Sequence, residues 1–222
     1  RLAPGDFRSF YCRAVTRRLR RDWKGALRDL DAALRLCPTA SDCLNYRGYL
    51  RLELDRLNPA IEDYGRALEI SPGHFDATHN RAVCLERKGD KAGALAGYSR
   101  ALEIKPESAH AHCSRGNLRH LLGDLEGAIE DWATSLAITP SQPQLAYQRG
   151  LACLKLGRID EAYCDFTRVT ELDPRCADAY WGRAEVWRHR GSRADVRRNL
   201  EAALLLAPRR WHRRLAVKAE LG

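Results

Sequence analysis

Apolar residues recur along this chain with a helical spacing, as in Leu95, Tyr98, Ala101 and Leu102, which one face of a helix brings together. The pattern stops and restarts every few turns. Prolines at 38, 72, 106, 140, 174 and 208 stand 34 residues apart. With each proline at position 32 of a window, the columns align without an insertion. Position 8 reads Ala14, Gly48, Ala82, Gly116, Gly150 and Ala184; position 20 reads Ala26, Ala60, Ala94, Ala128, Ala162 and Val196. Position 24 is large or apolar in every window: Leu30, Tyr64, Tyr98, Trp132, Phe166 and Leu200. Small residues at 8 and 20 let two antiparallel helices approach closely, and a large one at 24 fills the space beside them. Position 15 is Gly89, Gly123, Gly157 and Gly191 in the last four windows, which predicts a positive-φ residue ending each first helix. Proline at 32 lacks the N–H that would continue the second helix.

The predicted fold is therefore all-α, built from two-helix units, and no segment reads as a strand. Period and columns resemble the tetratricopeptide repeat (TPR) family. The resemblance implies a right-handed superhelical α-solenoid, with first helices lining a concave groove and second helices on the back. The expected division is an N-terminal edge at 1–6, repeats at 7–40, 41–74, 75–108, 109–142, 143–176 and 177–208, and a basic capping helix at 209–222. In the cap, Trp211 and Leu215 are expected to cover the last pair.

One column departs from the family. Position 7, where leucine is usual, is arginine throughout: Arg13, Arg47, Arg81, Arg115, Arg149 and Arg183. An arginine on the buried side of a helix requires an anion. Position 23 offers Asp29, Asp63, Asp131 and Asp165, with Gly97 and Asn199 as exceptions. The spacing predicts the structural pairs Arg13–Asp29, Arg47–Asp63, Arg115–Asp131 and Arg149–Asp165, and leaves Arg81 without an acid.

The resemblance implies ligand contacts at positions 2, 5, 6, 9 and 12 of first helices. The candidate groove residues are Tyr11, Asn45, Tyr49, His79, Asn80, Arg81, Cys113, Asn117, Tyr147 and Trp181, a mixture of aromatics and amides suited to a peptide or a helix. The family's chaperone-tail subtype grips a terminal carboxylate with lysines, arginine and asparagines. Only Asn80 matches, flanked by Asn45 and Tyr49 before and His110 and Ser114 after, so that activity is not expected.

Charge adds a second candidate surface. The net charge is +9, and residues 1–40 carry ten Lys/Arg against four Asp/Glu, residues 175–222 twelve against five. Arg17, Arg18, Arg20 and Arg21 form one basic patch; Arg188, Arg190, Arg193, Arg197, Arg198, Arg209, Arg210, Arg213 and Arg214 form another. These ends suit an acidic protein surface or, as the alternative, RNA.

No catalytic constellation, cofactor motif or metal-ligand spacing is present; His110 and His112 project to different sides of a helix and cannot share one ion. No run is long and apolar enough to span a membrane. The eight cysteines lack a C-x-x-C pair and read as reduced thiols of a cytoplasmic protein. With no methionine, the sequence reads as an internal piece of a larger protein. The functional expectation is a non-enzymatic protein-binding scaffold in the cytoplasm, in a ciliary or cytoskeletal setting. The alternatives are an RNA-associated module and a non-catalytic array of a larger enzyme.

Overall fold

A computed structural model describes residues 6–222. Residues 1–5, most of the expected N-terminal edge, lie outside the described residues. The chain divides into two compact units at the junction of Glu107 and Ser108. The first holds α1 (Phe7–Leu19), α2 (Trp23–Leu36), α3 (Ser41–Glu53), α4 (Leu57–Ile70), α5 (Phe75–Arg87) and α6 (Lys91–Ile104). The second holds α7 (Ala109–Leu122), α8 (Leu125–Ile138), α9 (Pro143–Lys155), α10 (Ile159–Leu172), α11 (Ala177–His189), α12 (Arg193–Leu206) and α13 (Arg214–Leu221). No strand occurs among the described residues.

The local sequence accounts for where helices begin and end. Each second helix stops two residues before its proline. Asp22, Asp90 and Asp124 cap α2, α6 and α8, accepting the N–H of Gly25, Gly93 and Gly127 at 2.9 Å. A Cβ on any of these glycines would stand within 2.4 Å of the capping carboxylate, so cap and glycine require each other. At position 15, Gly89, Gly123, Gly157 and Gly191 adopt positive φ; Arg21 (φ 60°) and Asp55 (φ 56°) take the same conformation in the first two windows without the glycine.

Within each window the two helices pack as an antiparallel pair around the predicted columns. Ala14, Ala26, Ala60, Ala82, Ala94, Ala128, Ala162 and Ala184 are wholly buried, and Tyr64, Tyr98, Trp132 and Phe166 fill the space beside them. A Cβ on Gly48 would lie 2.8 Å from the Tyr64 ring, and one on Gly116 would lie 2.7 Å from Trp132. Each pair also packs on the next within its unit: α2 on α3 and α4 on α5, then α8 on α9 and α10 on α11. First helix α3 further reaches α5, and α9 reaches α11; no contact of comparable extent joins α4 to α6 or α10 to α12. Each unit therefore curves with its first helices on the inner side.

The expected cap differs in detail. Residues 207–213 are irregular, and the helix begins only at Arg214. That late start rotates the buried face: Trp211 and Val217 pack on α11 and α12, whereas Leu215 is 82% exposed.

All eight cysteines are free thiols. Burial pushes the Cys43, Cys84 and Cys153 thiols up to about 11, while Cys12 and Cys164 are exposed. Iodoacetamide at pH 8 is therefore expected to alkylate Cys12 and Cys164 in the native protein and to reach Cys43, Cys84 and Cys153 only on unfolding. Peptide mass spectrometry of native and denatured samples checks this.

Candidate functional site

The arginine column forms carboxylate clamps, and the buried partner is the acid. Asp29, Asp63, Asp131 and Asp165 are all buried on their second helices. Arg13 Nε and Nη2 donate to the two oxygens of Asp29 at 2.9 and 2.7 Å. Arg115 holds Asp131 in the same two-bond fashion at 2.9 and 2.8 Å, and Arg149 holds Asp165 at 2.9 and 2.5 Å. Arg47 Nη2 donates to Asp63 at 2.6 Å, and its Nη1 reaches Asp31 of the preceding pair at 2.7 Å. The expectation of buried arginines is thus corrected. Each guanidinium covers its acid from the rim, the Arg13 side chain being 53% exposed and Arg47 only 12%. For Asp165, burial pushes the carboxyl up and the Arg149 contacts pull it back.

A second arginine, four residues on, completes three of the clamps. Arg17, Arg51 and Arg119 lie 2.9, 2.7 and 2.9 Å from Asp29, Asp63 and Asp131. Each also donates to a carbonyl in the first turn of its second helix, that of Gly25, Pro59 or Gly127. Their spacing of four places them on the face of the first arginine. Arg17 is consequently a clamp residue rather than part of a free basic patch.

The inner face carries an aromatic cluster in the first unit. Tyr11 of α1 and Tyr46 of α3 have ring centroids 5.4 Å apart, and Tyr46 stacks on Tyr49 at 6.0 Å. Arg18 Nε donates to the Tyr46 hydroxyl at 2.8 Å, and its guanidinium lies 5.8 Å from the Tyr49 ring centre. All four side chains are half-buried. Burial raises the Tyr11 and Tyr46 hydroxyls. Arg18, assigned by sequence to the basic end, belongs to this cluster. Asn45 lies on the same helix, half-buried.

Other groove candidates separate. His79 is buried among Phe75 and Tyr98 and presents no accessible edge, because ring packing on both sides outweighs its register on α5. Asn80 is half-buried, and Arg81 is exposed. Asn117 accepts from the Trp132 indole at 3.0 Å and donates weakly to the half-buried Cys113 sulfur. Tyr147 leans on Phe166 with centroids 5.7 Å apart, and burial pushes its hydroxyl up to about 12. Trp181 is half-covered by the Arg213 guanidinium, 4.0 Å from the ring centre. Arg213 and the Trp211 indole both bind Asp178, so the C-terminal segment occupies the start of the α11 inner face.

The C-terminal basic patch is largely compensated. Arg188 pairs with Glu185 and Glu220, Arg190 with Asp160, Arg197 with Glu201, Arg198 with Asp195 and Arg213 with Asp178. Arg214 donates to the Ala207 carbonyl. Arg193, Arg209 and Arg210 remain exposed, as do Arg20 and Arg21 at the other end. Among the described residues no group of three His, Cys, Asp or Glu is placed to hold a metal.

Comparison with known proteins decides the family. The model described as Tetratricopeptide repeat matches residues 47–109 and 147–195, and one described as TPR repeat matches 116–157. The chain is a tetratricopeptide repeat protein. Solved structures share its fold. YrrB, described as a TPR protein with an unusual peptide-binding site, superposes with a TM-score of 0.76 at 20% identity, over 86% of this chain and 97% of that one. PilF of Pseudomonas aeruginosa gives 0.76 at 16% identity over 96% and 97%. MamA of Desulfovibrio magneticus RS-1 gives 0.67 at 24% over 78% and 98%. No curated protein sequence matches. The TPR fold is that of a protein–protein interaction scaffold, and none of the described helices is long and apolar enough to cross a membrane.

Sequence reasoning missed Tyr46 and the second clamp arginines. The latter had a visible signal, since Arg17, Arg51 and Arg119 keep the repeat spacing at position 11. Tyr46 had a weaker one: it stands at position 6, a ligand-contact column of the family, although that column holds a tyrosine in this window alone.

Proposed function

We propose that this TPR protein is a non-enzymatic scaffold that holds an extended peptide or a partner helix against the inner faces of its first helices. The observation that carries the reading is the Tyr11–Tyr46–Tyr49 cluster with Arg18 at its edge. Rigid, half-exposed aromatics beside a cation give apolar area at small entropic cost and a hydrogen-bonding rim. Tyr147 and Trp181 hold the same position in the second unit, where Arg213 lies over the Trp181 ring. The described peptide-binding site of the similarly folded YrrB supports the class of ligand.

Docking of an acidic protein surface at the ends rests on Arg20, Arg21, Arg193, Arg209 and Arg210, the exposed arginines of the two patches. That small remainder favours a protein contact over an RNA track, which needs a longer row of unpaired cations. The free thiols support a cytoplasmic setting. A ciliary or cytoskeletal placement gains no support from these residues.

The test is selection of a random dodecapeptide phage library on the wild-type protein, followed by fluorescence anisotropy with the selected peptide. Tyr46→Ala is expected to weaken binding about tenfold or more, as for a central aromatic contact, and Arg209→Ala/Arg210→Ala to leave it unchanged. Retention of a uridine homopolymer should not respond to Tyr46→Ala. Equal peptide affinity of Tyr46→Ala and wild type would remove the aromatic face from the function.

A further inference from the structure

The third repeat breaks the clamp, and a cavity lies beside the break. In the second, fourth and fifth repeats, position 8 is glycine (Gly48, Gly116, Gly150) and position 23 is the clamped aspartate. In the third the small residue changes sides: Ala82 is at position 8 and Gly97 at position 23. A Cβ on Gly97 would stand 2.7 Å from the Ala82 Cβ, so an aspartate there requires the two helices to move apart from their present contact. The first repeat, with Ala14 opposite Asp29, has the wider spacing. The second source of a carboxylate is missing as well. Arg47 draws on Asp31 of the preceding pair, and the residue at that place relative to Arg81 is Gly65. A Cβ on Gly65 would meet nothing within 4 Å.

Arg81 is therefore an exposed clamp arginine with neither of its acids, and it has no ion-pair or hydrogen-bond partner among the described residues. It lines a cavity of ≈ 510 Å³ walled by the end of α4, α5 and α6. Leu68, Pro72, Ala82, Leu85 and Ala96 supply apolar walls. Two other charged groups line the cavity. Arg100 is paired with Glu103 at 2.7 Å, and Asp90 is turned to the Gly93 N–H at 2.9 Å.

We propose that this cavity receives the carboxylate of an aspartate or glutamate side chain from a partner protein, bound by Arg81 in the place of the missing internal acid. The chain itself supplies the template: at the four clamps already described, an arginine at this position binds a carboxylate. One unpaired guanidinium, apolar walls and the nearby Asp90 suit a monoanion on a short apolar stem. A phosphate dianion would face the Asp90 charge with one free cation to offset it. The site uses none of the inner-face aromatics and goes beyond the peptide-groove reading; loss of either leaves the other standing.

The experiment follows the Arg81 Nε–Hε resonance of the full chain at constant ionic strength. The probes are N-acetyl-glutamate N-methylamide, its glutamine counterpart and inorganic phosphate. The expected result is a saturable Arg81 shift with the glutamate probe, with dissociation on the order of 10 mM as for one charge-assisted contact, and at least about tenfold weaker binding of the glutamine probe. Arg47, Arg115 and Arg149 should not respond. Gly65→Asp, which places an acid in open space, should abolish the shift, and Ala82→Gly/Gly97→Asp, which rebuilds the clamp, should do the same. Absence of a saturable Arg81 shift, tighter binding of phosphate than of the carboxylate, or unchanged glutamate affinity in either variant with native circular dichroism would each overturn the proposal.

Discussion

Asp131→Ala is expected to lower stability by about 3–5 kcal/mol, the range for stripping the partner from a buried ion pair. Asp131 is buried on α8 and takes Arg115 through two bonds, Arg119 at 2.9 Å and His112 Nδ1 at 3.0 Å. Removing the carboxylate leaves these groups facing one another around an apolar methyl. Asp63→Ala should fall in the same range, since Arg47 and Arg51 are also largely covered. Asp29→Ala should cost less, about 1.5 kcal/mol, because the Arg13 side chain is more than half exposed and returns to water. Guanidinium denaturation followed by far-UV circular dichroism orders the three. Equal losses at Asp29 and Asp131 would show that guanidinium burial is not what sets the cost.

Trp132→Ala is expected to cost about 3–5 kcal/mol, as for other large buried aromatics. The side chain is 1% exposed, its indole donates to Asn117 Oδ1 at 3.0 Å, and its ring edge fills the space a Cβ on Gly116 would need. Gly116→Val should also destabilise, by about 1–3 kcal/mol, because a Cβ there meets Trp132 at 2.7 Å and the Asp131 Cβ at 3.1 Å. The two sites are halves of one contact, so the double variant should lose less than the sum of the singles, with coupling of about 0.5–3 kcal/mol. Thermal and denaturant midpoints of the four proteins test it; strict additivity would mean the glycine and the tryptophan do not share that space.

The same helix-pair contact explains which features were legible without coordinates. An arginine at position 7 and an acid at 23, like a small residue at 8 and a large one at 24, sit at fixed offsets within one window, so repetition alone exposes each partnership. Arg115–Asp131 and Gly116–Trp132 are readable in that way. His79 was not. Its column is the inner-face column, but Phe75 one turn earlier and Tyr98 on the next helix close over it. Arg18 stands in a run of arginines; its position 12 is a ligand-contact column of the family, and its hydrogen bond to Tyr46, 28 residues later, draws it out of the basic patch.

Sequence by itself determined the repeat length, the all-helical class, the small–large packing columns and the clamp between positions 7 and 23. The columns and the clamp are contacts within one helix pair, and backbone geometry repeats them at constant spacing. Tertiary structure alone decided that the acids rather than the arginines are buried, that most C-terminal arginines are already neutralised, that three tyrosines converge on the inner face, and that Arg81 lines an open cavity. Burial of each partner depends on the packing around it, and contacts such as Tyr11–Tyr46, Arg188–Glu220 and Arg190–Asp160 join side chains distant in sequence. Such distances follow from how the pairs stack and which side chains fill the gaps, and no single column records them.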